Sequence, residues 1–205
     1  MKKEEKLDRR QIRTKKLIRQ ALLELSEEKG LSQVTVRDLA ERAEINRGTF
    51  YLHYRDVADL VDQLKSEIFE GILPFASEIN PLEVKSHAER GEPYPVLLKV
   101  LEYFLAQADF LRVMLSANGD LQLPLQIKEF MSERMLQKFE QYMPEKSEDA
   151  IPWDYFVAYI ASANIGVLTH WMASENDLST REVALMMTRI ITQGPLETVL
   201  GGVKR

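Results

Sequence analysis

Apolar side chains recur every three to four residues along most of this 205-residue chain, and this helical periodicity limits its fold more than any other feature. Near the N-terminus the stripe consists of Leu17, Ile18, Ala21, Leu22 and Leu25. The alternation of apolar and polar residues that is typical of half-buried strands is scarce. We therefore predict an all-α fold of about nine helices.

Helix boundaries can be predicted from individual residues. Gly30 is expected to end the first helix, because glycine readily adopts positive φ. Thr35 and Asp38 have the spacing of a capping box at the start of a second helix. A short third helix is expected at about 46–52, and a long fourth helix should end before Pro74.

Proline marks the boundary between two predicted domains. Residues 74–95 contain four prolines and show little periodicity, so we predict a linker or partly ordered loop there. A helical domain at 10–73 precedes it, and a second helical domain at 96–200 follows.

The net charge of −5 hides an asymmetry along the chain. Residues 1–56 carry 14 basic and 10 acidic side chains, whereas residues 57–205 carry 13 and 22. The N-terminal part is therefore suited to bind a polyanion, and the remainder would repel one.

Residue types and spacings argue against an enzyme and against a metal site. The chain contains no cysteine, which excludes disulfides and thiolate ligands and fits a reducing cytoplasm. Its three histidines have no metal-ligand spacing, and glycine-rich phosphate loops and nucleophile elbows are absent. We expect no catalytic residue, metal or cofactor.

One uncharged segment, residues 155–174, is long enough to span a membrane. Asn164 and His170 lie inside it, and a lone membrane span would accommodate such polar groups at high cost. The charged N-terminus also lacks the apolar stretch of a secretory signal. We expect a buried helix in a cytoplasmic protein that has no membrane partner.

Residues 34–53 have the pattern of a helix-turn-helix. Apolar Leu39 and Ala40 would seat the second helix on the first. The outward face of the second helix would carry Arg47, Thr49 and His53, whose polar groups suit the base edges of a DNA major groove, and Gly48 would allow close approach.

The segment TVRDLAERAEINRGTFYLHYRDVADL resembles the N-terminal domain of the tetracycline-repressor (TetR) family of bacterial transcriptional regulators. The agreement covers about residues 10–70 and includes Arg13-Thr14-Lys15, Gly30, Leu39-Ala40 and the run from Gly48 to Tyr54. A looser resemblance to the C-terminal domain of a subgroup of the family rests on residues 163–184 and on Ala-Asn-Gly-Asp at 117–120.

The resemblance implies which residues contact DNA. Arg37, Arg47 and Thr49 match positions that face base edges or the adjoining backbone. Positions that touch phosphates match Tyr51, His53, Thr14 and Lys15. From the residues alone, each of two residues has an alternative to DNA contact. Tyr51 could instead pack beneath the helix, and Arg37 could instead pair with a nearby acid.

Two positions depart from the family pattern. Glu44 stands where the family usually has glycine in the turn, and Val57 stands where it usually has lysine at the start of the fourth helix. The loss of that lysine removes an expected phosphate contact, for which Arg55 is a substitute.

Family members pair through their last two helices, which implies a homodimer on a pseudo-palindromic double-stranded DNA operator. Small residues at 161–163 and Gly166 would allow close approach of two helices. The predicted interface consists of Ala163, Asn164, Gly166, Val167, Ala184, Met187 and Ile191.

The second domain is rich in aromatic and methionine side chains that could line a pocket for a small apolar or aromatic ligand. The candidates are Phe104, Met114, Phe130, Tyr159, His170 and Trp171. Such stripes more often form an ordinary packed core, and Asn164 could bond across a dimer seam instead.

The predicted function is thus a DNA-binding transcriptional repressor that a small ligand releases. The alternative is a TetR-like coactivator or protein-interaction module without a small-molecule inducer.

Overall fold

A computed structural model describes residues 9–143, 151–174 and 178–200. Within these ranges the protein is all-α, as predicted, and contains no strand. One 3-10 helix at Leu31–Gln33 accompanies eleven α-helices: α1 (Arg9–Lys29), α2 (Val36–Arg42), α3 (Arg47–Tyr51), α4 (Val57–Ser77), α5 (Pro81–Glu89), α6 (Pro95–Ala106), α7 (Ala108–Met114), α8 (Leu123–Tyr142), α9 (Trp153–Ala173), α10 (Thr180–Gln193) and α11 (Pro195–Leu200).

Local signals place several helix ends where the sequence predicts them. Gly30 has a φ of 85° and follows the last residue of α1. Thr35 accepts a hydrogen bond from the backbone N–H of Asp38, and the Asp38 carboxylate accepts one from the backbone N–H of Thr35, which completes a capping box. Ser179 and Glu182 form the same box at the start of α10. Each box satisfies N–H groups that the helix itself leaves free.

The chain divides into two compact units. Unit 1 comprises the residues up to Glu67 together with Val113–Leu121, and unit 2 comprises Ile68–Arg112 and the residues from Gln122 onward. The predicted division at 74–95 differs from this one in two respects: α4 contributes to both units, and the segment 113–121 belongs with the N-terminal helices.

The core of unit 1 joins the first four helices. Ile18 and Leu22 of α1, Leu39 of α2, Phe50 of α3 and Leu60 of α4 are completely buried there. Arg42 of α2 also binds Glu28 of α1 at 2.7 Å, so polar contacts at the rim reinforce the apolar ones.

Unit 2 is built around α8, α9 and α10. α9 packs along α8, and α10 packs against α5 and α6. α9 is long and apolar enough to cross a membrane by length and composition alone, but seven of its residues are buried within this unit. α9 thus packs within unit 2 along one face and leaves its other face exposed, so it is only in part the buried helix that the sequence predicts.

The segment at 74–95 is largely helical, contrary to the predicted linker. α4 continues through Pro74 to Ser77, and Ala76 is buried beyond the proline. Asn80 caps α5 by accepting a hydrogen bond from the N–H of Leu82, and Pro81 occupies the first turn of α5. Packing outweighs the lost N–H of Pro74 because the helix buries apolar side chains on both sides of it.

Candidate nucleic-acid interface

The turn between α2 and α3 fixes the position of α3 in unit 1. The backbone N–H of Ile45 donates to the carbonyl of Ala40 at 2.9 Å, and Ala43 is buried beneath the turn. Glu44 has a φ of 53°, the left-handed conformation that favours glycine. Glu44, which stands where the family usually has glycine, therefore has a backbone conformation that glycine adopts more easily than any other residue.

α3 begins at an asparagine cap and is held from below by one aromatic ring. The side-chain oxygen of Asn46 accepts a hydrogen bond from the N–H of Gly48 at 2.9 Å. Phe50 is fully buried and lies 5.6 Å from the buried Tyr54 ring, measured between centroids. The opposite face of α3 is consequently turned to solvent.

The exposed face of α3 carries most of the residues predicted there. Arg47 and Gly48 are exposed, and Thr49 is half-buried at the edge of the helix. Tyr51 is 57% exposed, so it does not pack beneath the helix. Leu52 is 81% exposed, and it is not among the predicted contacts although it belongs to the run from Gly48 to Tyr54.

Cations on and near this face differ in whether they have partners. Arg42 is bound by Glu24 and Glu28, and Lys29 is bound by Asp38 at 2.6 Å. Neither Arg37 nor Arg47 has a hydrogen bond or ion pair to any residue that the structure describes, and both are exposed. An ion pair from Arg37 to a nearby acid is therefore not observed.

Helix α1 adds basic side chains beside the turn. Arg10 and Arg13 line a groove that reaches Asn46 and Thr49 across the start of α1. Both arginines were missed as candidate contacts, although the basic run at 9–16 is a readable signal for them. The groove joins α1 to the exposed side of the turn and α3.

Thr14 is placed differently from the prediction. It is only 9% exposed, and its hydroxyl donates to the carbonyl of Arg10 at 2.9 Å. That hydroxyl hydrogen is committed to a bond within α1, so Thr14 cannot donate it to an outside phosphate. Lys15 is half-buried, with its ammonium group 5.8 Å from the centre of the Tyr54 ring.

Burial shifts the pKa values of His53 and Tyr54, which follow α3. Burial lowers the pKa of His53, and the nearby positive charge of Lys15 lowers it further. Both effects favour the neutral form of the His53 imidazole. Burial raises the pKa of Tyr54 to about 12, with smaller contributions from Glu67 and Asp59.

Arg55, the suggested substitute for the missing lysine, is highly exposed but has a partner. Its guanidinium lies 3.1 Å from the Asp59 carboxylate, which also accepts a hydrogen bond from the backbone N–H of Arg55. Its charge is partly neutralised before any ligand arrives.

The candidate pocket residues of the second domain do not form one cluster. Phe104 and Phe130 line a cavity of about 240 Å³ inside unit 2. The other four lie outside its lining: Met114 is buried in unit 1, Tyr159 and His170 are exposed, and the buried Trp171 donates to the carbonyl of Leu178 at 3.0 Å. A helical stripe could not show which neighbour each side chain meets.

The candidate dimer residues also divide into two groups. Gly166 is exposed, and Ala163 and Val167 are partly so. Ala184 and Met187 are buried within unit 2, and Asn164 and Ile191 line the cavity, so these four face the interior rather than a partner. α10 turns this apolar stripe toward α5 and α6 of its own chain.

Comparison with known families agrees with the helical architecture. A family model for the C-terminal region of transcriptional regulators matches residues 91–193, about half of the chain. A model for bacterial regulatory proteins of the TetR family matches residues 18–64.

Individual relatives are distant. An uncharacterized HTH-type transcriptional regulator of Bacillus subtilis, YxbF, is 26% identical over 90 residues, which cover 42% of this chain and 23% of that protein. A TetR regulator from Streptococcus agalactiae has a TM-score of 0.63 at 19% identity, covering 90% of this chain and 97% of its own. A TetR-family regulator from Syntrophomonas wolfei has a TM-score of 0.64 at 20% identity, covering 93% and 96%.

These solved structures show the same fold. One family model matches the part of the chain that contains the helix-turn-helix, and the other matches α6 to α10. The chain belongs to the TetR family of transcriptional regulators.

Proposed function

We propose that this regulator is a repressor that binds a pseudo-palindromic operator as a homodimer, and that a small ligand bound in unit 2 releases it. The observation that carries the DNA-binding part is the pair of exposed arginines without ion partners among the described residues, Arg37 of α2 and Arg47 of α3. A cation that has no acidic partner is available to phosphates and base edges.

The pattern of pairing supports this assignment. Arg42 and Lys29 hold α1 and α2 together through carboxylates, whereas Arg37 and Arg47 have no such bond among the described residues. Tyr51, Lys15 and His53 lie at or beside this face and supply further groups for the DNA backbone. Glu24 and Glu44 line the groove beside α3, so the site also contains negative charge.

An uncharged face of α9 supports the homodimer. Tyr155, Tyr159, Ser162, Gly166 and His170 are exposed and follow one another at helical spacing. A Cβ atom added at Gly166 would meet nothing within 4 Å, so a second helix has room to approach. Two recognition helices in such a dimer would lie about 34–36 Å apart, one turn of DNA.

The test is selection of bound duplexes from a random pool at moderate salt. We expect a motif of two inverted half-sites, since each subunit of a two-fold dimer reads one half. Asymmetric single sites would contradict the dimer. Selection without any enriched motif would contradict DNA recognition and favour the protein-interaction alternative. Transcription from a promoter that carries the selected motif should fall when the protein is added; a rise would contradict the repressor role.

A substitution at Gly166 tests the proposed dimer separately from DNA binding. Gly166→Arg should stay folded, because the position is open, and should sediment as a monomer with reduced operator affinity. Ala106→Arg, at the exposed end of α6, is the control and should remain a dimer. A wild-type protein that is monomeric at micromolar concentration would overturn the proposed homodimer.

A further inference from the structure

The cavity in unit 2 has an apolar wall and an unequal distribution of charge. Side chains such as Ile72, Leu101 and Phe130 form most of its lining. Arg134 and Lys85 also line it, and no Asp or Glu of the described residues does. The cavity therefore combines an apolar surface with two positive groups and no acid in its described lining.

Arg134 is the more informative of these two cations. It lies on α8 with its guanidinium carbon 5.4 Å from the centre of the Phe130 ring. Its Nε atom is buried and has no hydrogen-bond partner, and no described residue forms an ion pair with it. Lys85, by contrast, is an exposed residue that lies 4.0 Å from Glu89.

A second polar group lines the same cavity without a partner. Asn164 of α9 is only 7% exposed, and its side-chain amide makes no hydrogen bond to any other residue that the structure describes. Buried amides and guanidinium groups ordinarily have partners, because an unmade hydrogen bond in an apolar setting is costly. Both groups line the same cavity, which points to a ligand that supplies the missing acceptors.

The chemistry of these groups limits the ligand. A guanidinium donates through a planar fork that matches a carboxylate, and an asparagine N–H can donate to an oxygen of the same ligand. The apolar wall requires a hydrocarbon body, since a polar body would lose its hydration without compensation. A neutral hydrocarbon would leave Arg134 unpaired, and a cationic ligand would be repelled by it.

The volume limits the size of the ligand. About 240 Å³ corresponds to about eight times the volume that one molecule occupies in liquid water. It is smaller than the range of about 300–1,000 Å³ that is common for drug-sized ligands. This size favours a ligand with a small hydrocarbon body, such as a short fatty acid or a small aryl carboxylate.

We propose that the cavity of unit 2 binds a small monocarboxylate with an apolar body, and that Arg134 pairs with the carboxylate while Asn164 donates a hydrogen bond to it. The assignment rests on the proposed function only in taking this ligand as the signal that releases DNA. Binding itself can be measured without DNA.

Octanoate is the probe, and octanol is its control because it has the same hydrocarbon chain without the charge. Titration calorimetry on the full chain should show octanoate binding at least about tenfold more tightly than octanol, as a charged hydrogen bond predicts. Phenylacetate and 2-phenylethanol repeat the comparison with an aryl body. Equal affinities within both pairs, or no binding by either acid at millimolar concentration, would overturn the proposal.

Arg134→Met keeps the length and apolar character of the side chain and removes its charge. It should lose the preference for octanoate over octanol, and Arg134→Lys should recover part of it. Arg112→Met, an exposed residue outside the cavity lining, should bind as the wild type does. A folded Arg134→Met protein with unchanged octanoate affinity would contradict the pairing; the wild-type comparison decides the ligand class even if that variant does not fold.

Operator binding with and without octanoate separates the two proposals. Specific DNA binding without carboxylate binding would overturn the ligand assignment and leave the DNA-binding part intact. Carboxylate binding that leaves operator affinity unchanged would uphold the ligand class and contradict release by that ligand.

Discussion

The ammonium group of Lys65 lies 2.9 Å from the carboxylate of Asp120, a residue 55 positions further along the chain. Both side chains are largely shielded from solvent, at 11% and 14% exposure, and Lys65 also binds Asp62 at 3.0 Å. The backbone N–H of Leu31 donates to the carbonyl of Asn118 in the same segment. These contacts join the segment 113–121 to α4 and to the end of α1 within unit 1.

Asp120→Ala should destabilise unit 1 because it leaves Lys65 with one exposed carboxylate partner. We expect a loss of about 1–3 kcal/mol, less than for a fully buried pair since Asp62 remains. Urea unfolding monitored by circular dichroism measures it. Glu89→Ala, which breaks the exposed 4.0 Å contact with Lys85, is the control and should change stability by less than about 0.5 kcal/mol. Equal effects of the two substitutions would contradict a special role for Asp120.

Glu44→Gly should stabilise the protein, because residue 44 has a φ of 53° and glycine adopts that conformation without strain. The expected gain is about 1 kcal/mol in the free energy of unfolding. Glu41→Gly, at an exposed position within α2, is the matched control and should lose about 1 kcal/mol. Thermal unfolding of the two variants would show shifts of opposite sign; a loss in both would argue against strain at Glu44.

Much of the fold can be predicted from sequence because its signals are local. The capping boxes at Thr35 and Ser179 depend on residues three positions apart. The glycine at position 30 by itself indicates the positive φ that is found after α1. The exposed face of α3 follows from the same kind of local pattern, since the buried Phe50 fixes which side of a five-residue helix turns to solvent.

The rest depends on partners that are distant along the chain. No spacing shows that Asp120 meets Lys65, and a stripe of apolar residues does not say whether Met187 faces α6 or a second subunit. Arg134 was not predicted as a site residue because its lack of a partner can be seen only when its neighbours are in place. Polar residues inside apolar helices, as with Asn164, are the sequence signal closest to that information.

Stability should fall in acid through the link between Asp38, Lys29 and Thr35. Hydrogen bonds from Lys29 and then Thr35 hold the pKa of the Asp38 carboxyl well below its usual range. The folded state therefore binds this proton less readily than the unfolded state, so the contribution is complete above about pH 4 and is lost as the pH falls below it. Asp38→Asn lacks this ionisation. The gap in urea midpoint between wild type and Asp38→Asn should be wider at about pH 6 than at about pH 2.5; a gap independent of pH would contradict the linkage.

Gly48→Ala should separate folding from DNA binding. A Cβ atom at Gly48 would lie at an ordinary contact distance of 3.5 Å from the Asn46 side-chain oxygen, and the glycine does not need positive φ. Alanine favours a helix over glycine by about 1 kcal/mol, so the variant should be as stable as the wild type or more so. If Gly48 allows close approach to DNA, operator affinity should still fall, as a gel shift would measure. Unchanged affinity would remove Gly48 from the proposed interface.

Arg47 and Lys15 should affect DNA binding in different ways. Arg47 is exposed on α3, so Arg47→Ala should cost about 1–3 kcal/mol at one base position of each half-site and relax the preference there. Lys15 of α1 lies beside the Tyr54 ring and is expected to contact a phosphate. Lys15→Ala should therefore weaken binding to all duplexes alike, and the slope of log affinity against log salt should become shallower by about 0.9 per subunit. Titration of matched and mismatched duplexes at several salt concentrations measures both. An Arg47→Ala protein with the wild-type base preference would exclude base recognition by Arg47, and an unchanged salt slope for Lys15→Ala would exclude a phosphate contact from Lys15.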